Sequence, residues 1–569
     1  MARAIGIGKQ DFEKIRINHN FYVDKTDFIE KWWETTDDVT LITRPRRFGK
    51  TLNMSMLEKF FSIEYAGRSE LFEGLSIWKK EKYRALQGTY PVLMISFAGV
   101  KENSYAGARE NICRMIEEQY NKHEYLLNGS LLNEKEKKFY QKISVEMSDS
   151  EAAVSLRFLS DFLGRYYKKK VIILLDEYDA PMQEAYVGGY WKELTDFTRG
   201  LFNSTFKANP YLERAVMTGI TRVSKESIFS DLNNLEIVTT TSKKYMDCFG
   251  FTEKEVYAAL DEYSLSDRGE EVKDWYDGFS FGNEKDIYNP WSIINFLDKR
   301  EVGAYWANTS SNSLAGKLIR EGNLDIKKDF ECLIQGGCIR IEIDEQIVYD
   351  DQLDDDRQAV WSLLLAGGYL KVKSFRAYMS DFGEWKQEYE LELTNYEVKV
   401  MFRSMVRRWF ACADSCYNEF IRALLAGNLK EMNAYMNRIT SEMFSSFDTG
   451  KKPSGREPER FYHGFVLGLM VELSDKYVIT SNRESGFGRY DIMLEPRKPE
   501  YDAVIIEFKV QDEEEKELSD TVQEALRQIE EKNYQAGLET RGIQKKNIRK
   551  YGFAFCGKRV LIGRQTQEM

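Results

Sequence analysis

Nine residues near the N-terminus carry the strongest structural signal in the chain: Thr43-Arg44-Pro45-Arg46-Arg47-Phe48-Gly49-Lys50-Thr51. They follow an apolar run at residues 39–42, which is typical of a buried strand, and they precede apolar residues at helical spacing. A loop between a strand and a helix directs backbone N–H groups and the positive end of the helix towards an anion. In such a loop the lysine reaches the β- and γ-phosphates and the next hydroxyl binds Mg²⁺. The pattern therefore predicts a phosphate-binding loop.

The loop departs from the usual pattern at one position. The pattern has glycine where this chain has Arg44, so a residue with a side chain must make the tight turn there. We expect the residues that surround the nucleotide phosphates to be Arg44, Pro45, Arg46, Arg47, Phe48, Gly49, Lys50 and Thr51.

An acidic motif follows in the order that such a site requires. The apolar run at residues 171–175 ends in Asp176 and Glu177. An acid at this position holds Mg²⁺, usually through water, and its neighbour orients and deprotonates the attacking water. We assign these roles to Asp176 and Glu177, and Thr51 is the second metal ligand. Thr218 lies near the end of a further predicted strand, residues 215–220, and is a candidate sensor of the γ-phosphate; the alternative is a strand-terminal threonine without a ligand.

A second group of charged residues lies near the C-terminus. Residues two apart in a strand face the same side, so Glu507 and Lys509 project together while Phe508 faces the opposite layer. A hairpin can bring Asp491 beside Glu507, and two carboxylates suit Mg²⁺ or Mn²⁺. Lys509 can then orient the water or stabilise developing charge. A surface salt-bridge patch is the alternative, which the apolar strand before Glu507 disfavours.

These motifs together resemble the bacterial AAA-ATPase-like proteins that carry a C-terminal PD-(D/E)XK nuclease-like domain. The resemblance rests on residues 22–26, 41–52, 175–179, 275–279 and 288–291, and on the spacing of the C-terminal acids. Arg44 fits that family, whose loop typically begins Arg-Pro-Arg-Arg-Phe-Gly-Lys-Thr. The resemblance implies a P-loop core with an additional strand. It also implies catalytic roles for Asp491, Glu507, Lys509 and Gln528, and Tyr534 matches the family's tyrosine.

The order of strand-like and helical runs predicts an α/β protein with four parts. They are a P-loop ATPase core with a parallel sheet of four or five strands (1–235), a helical lid (236–330), a winged-helix-like and helical connector (331–450) and a restriction-endonuclease-like domain (451–569). A Pro-Ser-Gly stretch at 453–455 reads as a linker. The helix predicted at 460–473 carries Glu472 and His463, which are weaker candidates for metal contact.

The charge balance limits the possible partners. The 569 residues include 81 Lys and Arg and 92 Asp and Glu, a net charge of −11. This argues against a surface coated with positive charge, although a local groove can still bind nucleic acid. We expect that groove to draw on seven cations near the C-terminal acids: Arg489, Arg527, Lys532, Lys545, Lys546, Arg549 and Lys550.

The sequence contains no apolar run of membrane-spanning length and no apolar leader. The seven cysteines are odd in number and few, which indicates free thiols. We therefore expect a cytoplasmic protein with no membrane partner.

The combined prediction is a Mg²⁺-dependent ATPase coupled to a metal-dependent DNA nuclease, with ATP, Mg²⁺ and DNA as partners; RNA is left open. Mn²⁺ can serve at the nuclease site. The resemblance suggests foreign or mobile DNA as the target. The alternative is a nucleotide-gated DNA-binding or signalling switch without cleavage, which Glu177 and the intact C-terminal set disfavour. Arg46, Arg47 and Arg222 can each neutralise phosphate in their own subunit or in a neighbour, so a homo-oligomer also stays open.

Overall fold

The chain forms two compact units, seen in a computed structural model. The first unit comprises Met1–Asn323 and Gln335–Lys399, and the second comprises Leu324–Ile334 and Val400–Met569. The structure describes residues 2–207, 209–222, 229, 232–307, 313–343, 356–379, 383–409, 417–443, 466, 470, 473, 476–485, 488–511, 515, 517–556 and 559–565.

Five parallel strands form the central sheet of the first unit. They are β1 (Val39–Thr43), β2 (Val92–Ser96), β3 (Val171–Asp176), β4 (Leu212–Gly219) and β5 (Leu235–Val238), in the order β2-β3-β4-β1-β5. β4 lies between β1 and β3, which is the additional-strand arrangement that the resemblance implies. Every residue of β1 and β3 is buried, as expected for strands of a parallel sheet covered on both faces. The predicted parallel α/β core is confirmed.

The register of this sheet brings the predicted site residues to one edge. Ile42 of β1 lies opposite Thr218 of β4, and Leu175 of β3 lies opposite Met217. Because the strands are parallel, the loop after β1 and the acids at the end of β3 leave the sheet on the same side as Thr218.

Helices surround this sheet and extend beyond it. Several begin with a capping box, in which a side chain and a glutamate satisfy each other's backbone N–H groups, as Ser148 and Glu151 do. The helices up to residue 321 are α1 (Phe12–Ile17), α2 (Asp27–Glu34), α3 (Lys50–Phe61), α4 (Glu81–Arg84), α5 (Tyr105–Lys122), α6 (Glu134–Lys142), α7 (Asp149–Tyr167), α8 (Ala180–Gly188), α9 (Trp191–Phe202), α10 (Glu253–Glu262), α11 (Gly269–Tyr276), α12 (Pro290–Lys299) and α13 (Ser313–Glu321).

The region predicted as a helical lid also contains a small antiparallel sheet. Its strands are β6 (Phe251–Thr252), β7 (Phe279–Phe281) and β8 (Glu284–Tyr288), in the order β6-β8-β7. Helices α10, α11 and α12 share one apolar core with residues of β6 and β8. The two recognised aromatic motifs, 275–279 and 288–291, therefore flank a hairpin.

The middle of the chain, where the sequence predicts a winged-helix-like and helical connector, contains helices and a small antiparallel sheet. Helix α14 (Leu324–Ile334) belongs to the second unit, and the first unit continues with β9 (Ile339–Ile341), α15 (Arg357–Ala366), β10 (Leu370–Met379) and β11 (Trp385–Leu393). The antiparallel order is β10-β11-β9, so β9 adds a third strand to the hairpin of β10 and β11. Helix α16 (Tyr396–Trp409) follows, and the division between the units falls within it.

The second unit is built on a mixed five-stranded sheet. After α17 (Tyr417–Ala426) and α18 (Leu429–Met443) come β12 (Tyr477–Ser485), β13 (Gly488–Pro496), β14 (Ala503–Val510), β15 (Ile548–Cys556) and β16 (Arg559–Arg564), which pair in chain order. Only β14 and β15 are parallel, and the crossover between them contains the helices Leu518–Glu531 and Ala536–Thr540. Two apolar cores include residues from this sheet. Residues 451–455, His463 and Glu472 lie outside the described residues.

Candidate functional site

The Lys50 side chain is hydrogen-bonded to the backbone of the loop between β1 and α3. Its Nζ donates to the carbonyl oxygens of Arg44 at 2.8 Å and Pro45 at 2.9 Å. Gly49, the residue before α3, has a φ of 82°, a left-handed conformation that glycine adopts without strain. Burial lowers the pKa of Lys50 and the nearby Glu177 carboxylate raises it. The ammonium group therefore sits at the start of α3, within a largely enclosed site.

The Arg44 side chain supports the loop and does not line the cleft beside Lys50. It is fully buried, and its Nη1 donates to the carbonyl oxygens of Thr43 at 2.9 Å and Thr239 at 2.7 Å. Its guanidinium lies 4.6 Å from the centre of the Phe281 ring. Burial lowers its pKa to about 10. The sequence placed Arg44 in the loop that surrounds the phosphates. Its guanidinium is a buried cation that needs carbonyl oxygens, and it finds them at the end of β1 and just beyond β5.

Residues from the aromatic motifs brace the loop from a second side. The Arg46 carbonyl oxygen accepts from Asn289 Nδ2 at 3.3 Å and from Trp306 Nε1 at 3.0 Å. Phe48 is buried against Phe279, with ring centres 4.8 Å apart, so its side chain packs and only its backbone belongs to the loop. Trp306 was not predicted from the sequence. A buried indole needs one acceptor for its N–H group. No local sequence pattern shows that the Arg46 carbonyl oxygen is that acceptor.

Two hydroxyl groups converge on the buried Asp176 carboxylate. Thr51 Oγ1 donates to Oδ2 at 2.8 Å, and Thr218 Oγ1 donates to Oδ1. Thr218 Oγ1 also accepts from the Glu177 backbone N–H at 3.3 Å. The structure thus brings together the four residues that the sequence assigned to the metal, the water and the γ-phosphate.

Glu177 leaves β3 in a strained turn. Its φ is 51°, which is uncommon for a residue with a side chain and is typical of functional positions. Burial raises the pKa of its carboxyl above the ordinary 4.5, while Lys50 opposes the shift. Close packing at the end of β4 holds this turn, because a Cβ on Gly219 would lie 2.7 Å from Tyr178 and 2.8 Å from Asp179. A raised pKa suits a general base that works near neutral pH.

Lys50 and Glu177 line one cleft with a volume of about 430 Å³. Arg46, Lys50, Thr51 and Glu177 form one part of its wall, and Trp291 of α12 forms another. The segment from Gly6 to Gln10 also lines the cleft. That segment was not predicted as part of the site, although its two glycines in three residues were a signal of close backbone approach.

The C-terminal acids meet between β13 and β14. Ile492 pairs with Ile506, so Asp491 and Glu507 are the next residues along the two antiparallel strands. Asp491 Oδ2 accepts from the Phe508 backbone N–H at 2.8 Å. Burial raises the pKa of Asp491 to about 6, and the charge of Lys509 opposes that shift. The hairpin therefore forms the pair that the sequence predicted.

Gln528 orients Glu507 from the crossover helix. Its Nε2 donates to Glu507 Oε1 and lies 3.1 Å from the hydroxyl oxygen of Tyr534. Glu507 is only 4% exposed. Gln528 and Tyr534 therefore lie beside the acids, which is the position that the resemblance implies.

The donor set fits a hard divalent cation. Among the described residues, no group of three or more His, Cys, Asp or Glu side chains forms a ready metal centre. Mg²⁺ usually keeps several waters and takes one or two protein carboxylates, which Asp491 and Glu507 supply here. Two enclosed carboxylates also repel each other and favour a shared cation.

Several of the cations predicted to contact DNA form ion pairs or hydrogen bonds within the protein instead. Arg549 pairs with Asp502 and donates to the carbonyl oxygen of Leu425 at 2.8 Å. Lys550 is buried and pairs with Glu530, and Arg527 pairs with Glu524 on its own helix. Lys532, Lys545 and Lys546 are exposed, and the Arg489 side chain lies outside the described residues. The local positive surface is therefore smaller than the sequence suggested.

Two parts of the chain match known protein families. Residues 6–229 match the family model described as predicted AAA-ATPase, and residues 457–565 match that of the PD-(D/E)XK nuclease superfamily. These two matches, in this order along the chain, agree with the domain architecture that the resemblance suggested.

A similar protein is described as an uncharacterized protein in the vnfD 5′ region of Azotobacter chroococcum mcd 1. It is 30% identical over 322 residues, a stretch that covers 56% of this chain and 56% of that protein. The likeness thus spans about half the length of the relative. In the part of the chain that the structure describes, no helix has both the length and the apolar composition needed to cross a membrane.

Proposed function

We propose that the protein is a cytoplasmic, Mg²⁺-dependent ATPase coupled to a metal-dependent deoxyribonuclease. The observation that carries the first half is the convergence of Thr51 and Thr218 on Asp176, beside Glu177 and Lys50 in one cleft. Each of these groups has a distinct task in phosphoryl transfer. A purely structural role for any one of them would not explain why the other groups lie beside it.

In the ATPase half, Lys50 exchanges its two backbone carbonyl partners for oxygens of the β- and γ-phosphates. Thr51 and Asp176 would hold Mg²⁺, which would supply positive charge to neutralise the phosphates. Glu177 accepts the proton of the attacking water. The water oxygen bonds to the γ-phosphorus as the bond from that phosphorus to the bridging oxygen breaks, so ADP and phosphate are the products.

In the nuclease half, Asp491 and Glu507 would hold Mg²⁺ or Mn²⁺, which supplies an activated water and charge stabilisation. Gln528 keeps the Glu507 carboxylate oriented. Lys509, on the same face of β14 as Glu507, stabilises the charge that develops on the phosphodiester.

Nucleotide state would set the arrangement of the lid and the nuclease domain, because contacts with the γ-phosphate can order one conformation and hydrolysis can release it. The proposed parts are the core (1–235), the lid (236–330), the connector (331–450) and the nuclease domain (451–569). DNA of foreign or mobile origin is the proposed target. Whether RNA is also cleaved, and whether the protein forms a homo-oligomer, are questions for experiment.

The test is an incubation of the purified chain with Mg²⁺ or Mn²⁺, with and without ATP, on labelled single- and double-stranded DNA and RNA. Metal-dependent cleavage together with ATP hydrolysis supports the proposal. Binding of DNA without cleavage under all of these conditions would favour the nucleotide-gated binding switch instead.

A further inference from the structure

The arginines around the nucleotide cleft differ in what holds their side chains. Arg46 is half-buried and lines the cleft, and its Nη2 donates to Gln183 Oε1 on α8 at 3.0 Å. The adjacent Arg47 also lines the cleft, but it is exposed, and its guanidinium lies 4.6 Å from the centre of the Trp291 ring on α12. Arg222 is not among the described residues that line the cleft. The structure thus separates three arginines that the sequence could not rank.

Arg46 lines the same cleft as Lys50, Thr51 and Glu177. Its partner Gln183 is on α8, the helix that begins three residues after Glu177. Under the proposed ATPase function, Glu177 acts on the attacking water and Lys50 binds the phosphates, so a cation that lines the same cleft can reach the phosphoryl group that reacts.

A chain of buried polar groups fixes the direction of the Arg46 side chain. Gln183 is 9% exposed, and its Nε2 donates to Asp179 Oδ2 at 3.2 Å. The same oxygen accepts from the backbone N–H groups of Ile220 at 2.9 Å and Thr221 at 2.8 Å. These two residues directly follow β4, the strand that carries Thr218. The Arg46 side chain is thereby linked to the strand that contacts Asp176.

The Arg46 backbone is fixed independently of this chain of polar groups. Its carbonyl oxygen accepts from Asn289 and from Trp306. Both ends of the residue are therefore held before any nucleotide binds, which is the preorganisation that electrostatic catalysis requires.

We infer that Arg46 is the catalytic arginine that stabilises the γ-phosphoryl group in its own subunit, and that Gln183 and Asp179 are its positioning residues. This role rests on the proposed ATPase function of the same cleft. Gln183 uses one of the five N–H donors of the guanidinium, so the other donors can face the equatorial oxygens where charge develops. Arg46 exchanges no proton or electron pair in the reaction.

The first experiment measures ATP turnover and the trapping of ADP with aluminium fluoride, a mimic of the transferring phosphoryl group. Arg46→Ala should lower kcat by about 10³, the size expected for such an arginine. It should still bind ADP yet fail to trap it. Arg46→Lys should recover little, because an ammonium lacks the planar donor geometry. Added guanidinium, far below denaturing concentrations, should partly restore turnover to Arg46→Ala, which also shows that the variant is folded.

Two comparisons separate this role from a structural one. Arg47→Ala removes the neighbouring cation and should weaken ATP binding while ADP–aluminium fluoride trapping is retained. Gln183→Ala should lower kcat with little change in KM, and the double variant with Arg46→Ala should be no slower than Arg46→Ala alone, because Gln183 acts through Arg46.

The outcomes distinguish the role of Arg46 from the function on which it rests. If the wild-type protein hydrolyses ATP and Arg46→Ala keeps the wild-type rate and trapping, the assignment of Arg46 is wrong and the ATPase proposal stands. Additive losses in the double variant would likewise remove Gln183 from its positioning role. A wild-type protein that neither hydrolyses ATP nor traps ADP would overturn both.

Discussion

Glu177→Gln should block ATP hydrolysis while ATP stays bound. The change keeps the shape of the side chain and the backbone N–H that contacts Thr218, and it leaves Lys50 and Thr51 in place. It removes only the proton acceptor for the attacking water. A positioned general base is worth about 10² to 10⁴ in rate, which corresponds to about 3–5 kcal/mol of activation free energy.

The pH dependence of the same pair of proteins adds a second readout. Burial raises the pKa of the Glu177 carboxyl above 4.5. Glu177 acts as a base only when deprotonated, so wild-type kcat should fall as pH falls through that raised value. The acid limb should be absent in Glu177→Gln, whose amide does not titrate.

Phosphate release measured from about pH 5 to about pH 9, with nucleotide binding measured at each pH, tests both expectations. Glu193→Gln is the matched control, since Glu193 is exposed on α9 and undergoes the same chemical change. It should turn over at the wild-type rate. Near-wild-type hydrolysis by Glu177→Gln, or an unchanged acid limb, would refute the assignment of Glu177 as the base.

Three further predictions address the other parts of the chain. Lys50→Ala should abolish ATP hydrolysis in a phosphate-release assay, because the cation that faces the phosphates is lost; a wild-type rate would mean that the loop has been misread. Asp491→Ala, Glu507→Ala and Lys509→Ala should each eliminate metal-dependent DNA cleavage, but isothermal titration with Mn²⁺ should show lost metal affinity only for the two carboxylate variants. An equal loss of Mn²⁺ affinity in Lys509→Ala would contradict the role of Lys509 in charge stabilisation. Limited proteolysis should cut near residues 451–456, where Pro, Ser and Gly interrupt the helical pattern; cleavage within the helix Leu518–Glu531 instead would contradict that boundary.

The nucleotide motifs were predictable because parallel strands deliver their C-terminal residues to one edge of a sheet. Asp176 ends β3, Thr218 is the last residue but one of β4, and Thr51 lies just after the loop that follows β1, so their meeting follows from strand assignment and connectivity. The contacts of Arg46 were not predictable in this way. Trp306 lies 260 residues from Arg46 along the chain, and Gln183 lies 137 residues from it. Such contacts depend on how distant segments pack, which local periodicity does not encode.

Arg44 shows the limit of reading a motif by its position. The sequence places it in the phosphate loop, yet its side chain turns to the carbonyl oxygens of Thr43 and Thr239. Residue type alone does not reveal whether a cation faces solvent or a buried carbonyl cluster. The same limit applies to Lys550. The sequence offered it as a cation for nucleic acid, whereas it is buried in β15, opposite Ile505 of β14.

The small sheet of the lid escaped prediction for a different reason. β7 has three residues and β6 has two. Strands this short do not show a detectable alternation of apolar and polar residues. The C-terminal acids were easier to predict. A buried apolar strand seldom ends in alternating charges unless a ligand or partner compensates them, and β14 is such a strand of eight residues.

Cleavage of labelled DNA by the wild-type chain with Mg²⁺ and ATP, run beside Lys50→Ala and Asp491→Ala, tests most directly whether one chain combines a nucleotide-hydrolysing site with a metal-dependent nuclease site. We predict that Asp491→Ala hydrolyses ATP without cutting DNA. Lys50→Ala should lose hydrolysis together with the ATP-dependent part of cleavage. DNA binding by the wild-type chain with no cleavage under Mg²⁺ or Mn²⁺, in the presence or absence of ATP, would contradict this combination.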